Sequence, residues 1–173
     1  MKVSRTTLVG VGLAILAGTI WLYWPSLHGE FLEADDLESY LKPAMRLHGL
    51  TWNAVTWAFT CTFSYYQPLA RLSHVVDYQL WGTTAAGHHA TSVVVHALNA
   101  ALVLGFLWKL LGATSLTDGE RLAVAVGVAV VFALHPLQVE AVSWVSCRTE
   151  LLCGTFGIGS LWAYAGGARR WTV

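Results

Sequence analysis

Four stretches of this chain carry no Asp, Glu, Lys or Arg, and they limit its folds more than any other feature. Residues 6–29 make a gap of 24 positions, 78–108 one of 31, and 122–139 and 151–168 two of 18. A membrane-crossing helix needs about 20 mostly apolar residues. The gaps therefore predict an all-α, multi-pass membrane bundle of about four transmembrane helices, at 6–24, 88–111, 120–135 and 149–166. The third is the weakest, because its strongly apolar part runs only from Leu122 to Leu134 and Pro136 limits extension. It reads equally as a short span, a re-entrant segment or a buried helix.

Composition agrees. Hydrophobic residues make up 55% and charged residues 12%, against about 25% charged in a soluble domain. This excludes disorder, which needs low hydrophobicity and high net charge. Ten bases balance ten acids, so no basic surplus points to nucleic acid as a partner. Three cysteines make a poor disulfide framework, and buried, inert thiols are expected. The first apolar run ends in Trp21, Tyr23 and Trp24 rather than in small residues suited to cleavage. It reads as an uncleaved anchor with an interfacial aromatic belt.

With the N-terminus in the cytoplasm, the inner side holds Lys2, Arg5, Lys109, Arg121, Arg169 and Arg170. The outer side holds Lys42, Arg46, Arg71 and Arg148, a mild positive-inside bias. Only Asp118 and Glu120 among the acids fall inside, so the acidic chemistry lies outside. Residues 1–173 read as a single membrane domain, whose loop 25–87 contains two amphipathic helices. One covers 37–48, interrupted near Pro43. The other covers 68–81, with Pro68 in its first turn and Leu69, Leu72, Val76 and Leu80 as its apolar face, set to lie at the membrane surface or to pack on the outer ends of the spans.

Three groups of residues could carry chemistry. In the acidic cluster Glu33, Asp35, Asp36 and Glu38, paired carboxylates can hold a divalent cation or supply a general base. Asp35 followed by Glu38 also looks like a capping box. In the second span His89, Ser92, His96 and Asn99 share one helical face. Such a stripe is functional or bonds helix to helix, the latter favoured for Ser92 and Asn99. His88 and His89 are expected near the headgroups, solvated. In the third group, a helix after Pro136 would align Glu140, Trp144 and Arg148, with a Glu140–Arg148 pair fastening two helices. His135 and Glu140 could ligate a metal, but two ligands are a weak signal, and no metal ligand set is assigned.

The Asp35-Asp36 pair, the Tyr66-Gln67-Pro68-Leu69 run leading to His96 and Asn99, and the His135-Pro136 to Glu140-Ala141-Val142 segment followed by Arg148, Glu150 and Leu151 occur together. In this the chain resembles the N-terminal membrane part of the transmembrane O-mannosyltransferases with tetratricopeptide repeats, including their bacterial relatives. The resemblance implies a GT-C-type glycosyltransferase, in the bacterial inner membrane or the endoplasmic reticulum. Its donor would be a sugar, mannose-like, on a polyprenyl phosphate, and its acceptor a protein Ser/Thr hydroxyl on the extracytoplasmic or lumenal face. Asp35 and Asp36 would be the catalytic pair, Asp36 the favoured base. Arg71 and Arg148 would hold the phosphate, with Glu140, His135 and His96 also at the substrate. No cofactor is assigned beyond the lipid-linked sugar as donor substrate; other GT-C enzymes bind a divalent metal through an acidic pair, so a metal stays open. The family usually has Arg where this chain has Gln67, and its members carry many more spans and a repeat tail. The chain thus reads as an N-terminal piece that needs further helices or a partner subunit. The competing readings are a non-catalytic membrane scaffold and a metal-binding transport component.

Overall fold

The computed structural model describes residues 2–62 and 65–167, with the backbone alone at Glu33, Ala34 and Gly167. Arg169, Arg170 and the Glu33 side chain lie outside the described residues. The described residues are all-helical. The helices are α1 (Arg5–Tyr23), α2 (Lys42–Arg46), α3 (Trp52–Thr60), α4 (Pro68–Trp81), α5 (Ala85–Leu110), α6 (Asp118–Leu134), α7 (Gln138–Ser143) and α8 (Arg148–Gly167). A π-helical segment, Glu33–Leu41, leads into α2. Helices thus form at all four charge gaps. Two are long and apolar enough to cross a membrane: Arg5–His28, which adds a 3₁₀ turn to α1, and Ala85–Ala113, built on α5.

The chain forms two compact units. The first takes the segment up to Leu22, Val94–Gln138 and the segment from Cys153 onward. Its core joins Ile15 of α1, Ala100, Val103 and Leu104 of α5, and Ala125, Ala129 and Ala133 of α6. Three alanines at fourfold spacing make a seam where helix backbones approach closely. Thr117 caps α6: its hydroxyl accepts the Glu120 N–H at 3.4 Å, and the Glu120 carboxylate accepts the Thr117 N–H at 2.9 Å. His96 Nε2 meets the Ala133 carbonyl at 3.1 Å, and Thr155 donates to Asn99 Oδ1 at 2.7 Å.

The second unit takes Tyr23–Val93 and Val139–Leu152. Its apolar cluster is Ala44, Ala54 and Val75, flanked by Leu47, Trp57 and Tyr78. The chain reverses after α2 through His48 and Gly49, at φ 56° and 76°. At Gly49 the positive φ favours glycine, and a Cβ would lie 2.5 Å from Gln79 Oε1 and displace that amide.

Four expectations are corrected here. The capping box does not form at Asp35–Glu38, because the helical segment starts earlier, at Glu33, with no side-chain cap. The inward face of α4 is also different: it buries Arg71, His74 and Asp77 with Ala70 and Val75, and leaves Leu69 47% and Leu80 65% exposed. Arg71 and Asp77 on that face find hydrogen-bond partners inside, which offsets the cost of burying them. Finally, His88 and His89 are buried, and the three cysteines are free but only partly covered, Cys153 being exposed.

Candidate functional site

A cavity of about 270 Å³ lies wholly within the second unit. That is room for about nine waters, the scale of one sugar ring. The π-helical segment brings Asp35, Ser39 and Tyr40 to its wall. The loop before α4 and its first turns bring Tyr65, Gln67 and Arg71. The stretch from Trp144 into α8 brings Ser146, Thr149 and Glu150. π-Helical turns are rare and cluster at functional sites.

Asp35 and Asp36 have separate fates. Asp36 is 2% exposed. Its Oδ2 accepts the Leu32 N–H at 2.9 Å, and its Oδ1 accepts the Ser146 N–H at 2.9 Å and the Ser146 hydroxyl. It ties the acidic segment to the turn before α8. Asp35 is exposed and lines the cavity. With both Asp36 oxygens held in this way, the two do not form a free carboxylate pair for a metal, and no step runs through one there.

Gln67 is fixed by its acceptor end. Its Oε1 accepts the Tyr40 hydroxyl at 2.8 Å and the Thr149 hydroxyl at 3.0 Å. Arginine has no acceptor, so these two hydroxyls suit an amide at the position where the resembling family has Arg. Arg71 is nearly buried in the wall. It donates to the Cys61 carbonyl at 2.5 Å and the Tyr65 carbonyl at 2.6 Å, and lies 5.7 Å from the Trp57 ring centre. The Trp144 Nε1–H is buried, with no hydrogen-bond partner among the described residues. Burial, then the carboxylates Glu140, Glu150, Asp36 and Asp35, push the Cys147 thiol up to about 11, so this lining sulfur stays protonated. Burial likewise raises the Tyr40 phenol.

The other expected residues lie elsewhere. Arg148 has no exposed surface: it donates to Asp77 Oδ2, to Ser92 Oγ at 3.2 Å and to the His88 carbonyl at 2.7 Å. The expected Glu140–Arg148 pair does not form. α7 ends at Ser143 and Trp144 is extended, so no continuous helix aligns the two, and Glu140 is exposed. A buried guanidinium requires a buried partner, and Asp77 supplies it. His135 and His96 belong to the first unit and do not line the cavity; His135 Nδ1 accepts the Leu137 N–H at 3.2 Å. Sequence reasoning passed over Asp77 and His74. The available signal was their threefold spacing with Arg71 on one α4 face.

Similarity to known proteins agrees with the motifs. The chain is 25% identical over 165 residues to protein O-mannosyl-transferase F38B6.6 of Caenorhabditis elegans, covering 91% of this chain and 22% of that protein. It is 31% identical over 111 residues to human protein O-mannosyl-transferase TMTC4, covering 61% of this chain and 15% of that protein. With human protein O-mannosyl-transferase TMTC1 it shares 30% over 148 residues, covering 80% and 16%. No family model and no solved structure matches. The chain thus spans about a fifth or less of the length of the curated relatives it matches. Its motifs and its curated relatives point the same way: the chain is a distant relative of the protein O-mannosyl-transferases.

Proposed function

We propose that this chain is the N-terminal part of a membrane glycosyltransferase of the GT-C type. It moves a mannose-like sugar from a polyprenyl-phosphate carrier to a protein Ser/Thr hydroxyl on the extracytoplasmic or lumenal face. In this reading α6 and α8 cross the membrane with α1 and α5, the N-terminus is cytoplasmic, and further helices complete the lipid groove. The observation that carries it is the cavity with Asp35 and Glu150 in its wall, Arg71 beside them, and an unpartnered indole N–H at Trp144.

Asp35, the exposed carboxylate, takes the proton of the acceptor hydroxyl as general base. The acceptor oxygen forms its bond to the anomeric carbon as the bond from that carbon to the phosphate oxygen breaks. The leaving phosphate keeps the electron pair and needs no strong acid. Arg71 places positive charge at the wall to balance it. Asp36 positions the segment that carries Asp35. Glu150, Gln67 and Trp144 offer hydrogen bonds to sugar hydroxyls.

The test is mannosyl transfer from polyprenyl-phosphate mannose to a Ser/Thr peptide, in membranes containing the complete protein. Asp35→Asn should lower turnover by about 10²–10⁴-fold. Full turnover in that variant overturns the base assignment. No transfer by the unaltered protein overturns the enzymatic reading in favour of a scaffold.

A further inference from the structure

A second polar cluster lies in the same unit, among groups that the proposed transfer does not use. His74 and Asp77 stand one turn apart on α4, and His88 comes from the start of α5. Each offers one ligand atom, these atoms lie within 4.8 Å of one another, and all three residues are buried. We propose that His74, Asp77 and His88 form a binding site for a zinc-like divalent cation, separate from the cavity that holds Asp35.

The geometry around each residue suits that role. His88 Nε2 lies 3.1 Å from the Gly82 carbonyl. Donation there leaves the Nδ1 lone pair free to ligate, the usual arrangement for a metal-bound histidine held by a backbone carbonyl. His88 Nδ1 lies 3.6 Å from Asp77 Oδ2, too long for a hydrogen bond. Two ligands about 2.0–2.1 Å from a tetrahedral zinc ion lie about 3.4 Å apart. Asp77 Oδ1 accepts the Thr91 hydroxyl at 2.8 Å, which orients the carboxylate as an outer partner does. Neither His74 ring nitrogen has a hydrogen-bond partner among the described residues, although the side chain is 2% exposed. His89 shares that state, but only at His74 do the free nitrogens stand beside two further ligand groups among the described residues.

Arg148 sets the limit on affinity. It donates to Asp77 Oδ2 and neutralises the carboxylate, so an incoming cation shares that oxygen with a guanidinium. The site therefore binds in competition with a fixed internal cation, and more weakly than a structural zinc centre.

Cobalt(II) is a suitable probe, because tetrahedral cobalt absorbs strongly in the visible. Titration of the purified full chain in detergent should give saturable absorption at one cobalt per chain, displaced by zinc. His74→Phe keeps the ring that packs against Tyr40 at 4.2 Å and keeps the Asp77–Arg148 pair, but removes one ligand. It should weaken binding at least tenfold, whereas His135→Ala, at an exposed site in the first unit, should leave it unchanged. Absence of stoichiometric absorption in the folded unaltered chain overturns the proposal. So does unchanged binding in His74→Phe, or loss in His135→Ala alone. If His74→Phe does not fold, His88→Phe decides, since it keeps the Asp77–Arg148 pair and the ring that meets Phe31: zinc must raise the Tm of the unaltered chain and not that of the variant, and an equal rise in both overturns the site.

Discussion

The Arg148 guanidinium, 71 positions along the chain from Asp77, donates through Nη1 to Asp77 Oδ2, with 0% and 2% of the two side chains exposed. This contact joins α4 to the start of α8, and Arg148 also reaches Ser92 and the His88 carbonyl on α5. Within the second unit, α4 and the first residues of α5 and α8 converge on a single charge. Asp77→Ala leaves that charge buried and unpaired, and should destabilise the protein by about 3–5 kcal/mol. Exchanging both residues for apolar ones of similar volume, Asp77→Leu with Arg148→Met, should restore most of the loss. Denaturant unfolding of the single and double variants in detergent measures both, and an additive double variant contradicts a direct pairing.

Asp35 and Asp36 should separate experimentally. Asp36→Asn turns one of two accepting oxygens into a donor that faces the Leu32 N–H or the Ser146 groups. The expected cost is about 1–3 kcal/mol of stability. Asp35→Asn, at an exposed position, should change stability by less than about 0.5 kcal/mol while lowering transfer by about 10²–10⁴-fold. Equal Tm losses in the two variants contradict the assignment.

Gln67 offers a test of the amide. Gln67→Arg, which restores the residue usual in the resembling family, should lower stability here by about 1–3 kcal/mol. It leaves the Tyr40 and Thr149 hydroxyls without their acceptor. Paired substitution of Tyr40→Phe with Thr149→Val should make the arginine better tolerated. Thermal unfolding of the three variants reads this directly.

Acid should weaken the fold through His74. Its pKa in the folded state is well below the ordinary histidine value of 6.5, first because of burial and then because of Arg148 and His88. The unfolded chain therefore binds the proton more readily. The stability contributed by neutral His74 is fully present above about pH 6.5. It is lost as pH falls below that value, at up to about 1.4 kcal/mol per pH unit. His74→Phe should flatten the dependence of Tm on pH between about 6.5 and 5, and an unchanged slope contradicts the assignment.

Much of the secondary structure is legible in the charge gaps. Expected spans at 6–24, 88–111, 120–135 and 149–166 meet helices Arg5–Tyr23, Ala85–Leu110, Asp118–Leu134 and Arg148–Gly167. Pro68 opens α4 as its position demands. The polar stripe of α5 also turns inward, because its spacing alone puts His89, Ser92, His96 and Asn99 on one face and each is buried. The capping box was less legible. Thr117 and Glu120 carry the same pattern as Asp35 and Glu38, and only the former pair makes the reciprocal bonds. The pattern names residues able to cap but not where the helix begins.

Where apolar helices form is already written in the chain, since that depends on runs of uncharged residues a few turns long. So is which residues share a helical face, since that is a matter of period. Tertiary structure alone decided which carboxylate meets which cation. Arg148 has Glu140 and Glu150 close along the chain, yet it pairs with distant Asp77, because Asp77 is buried beside it while those two carboxylates are exposed. It also decided that Asp36 ties segments together while its neighbour Asp35 faces the cavity. Adjacent residues in a helix point in different directions, and which direction leads to a cavity depends on what packs there from elsewhere in the chain.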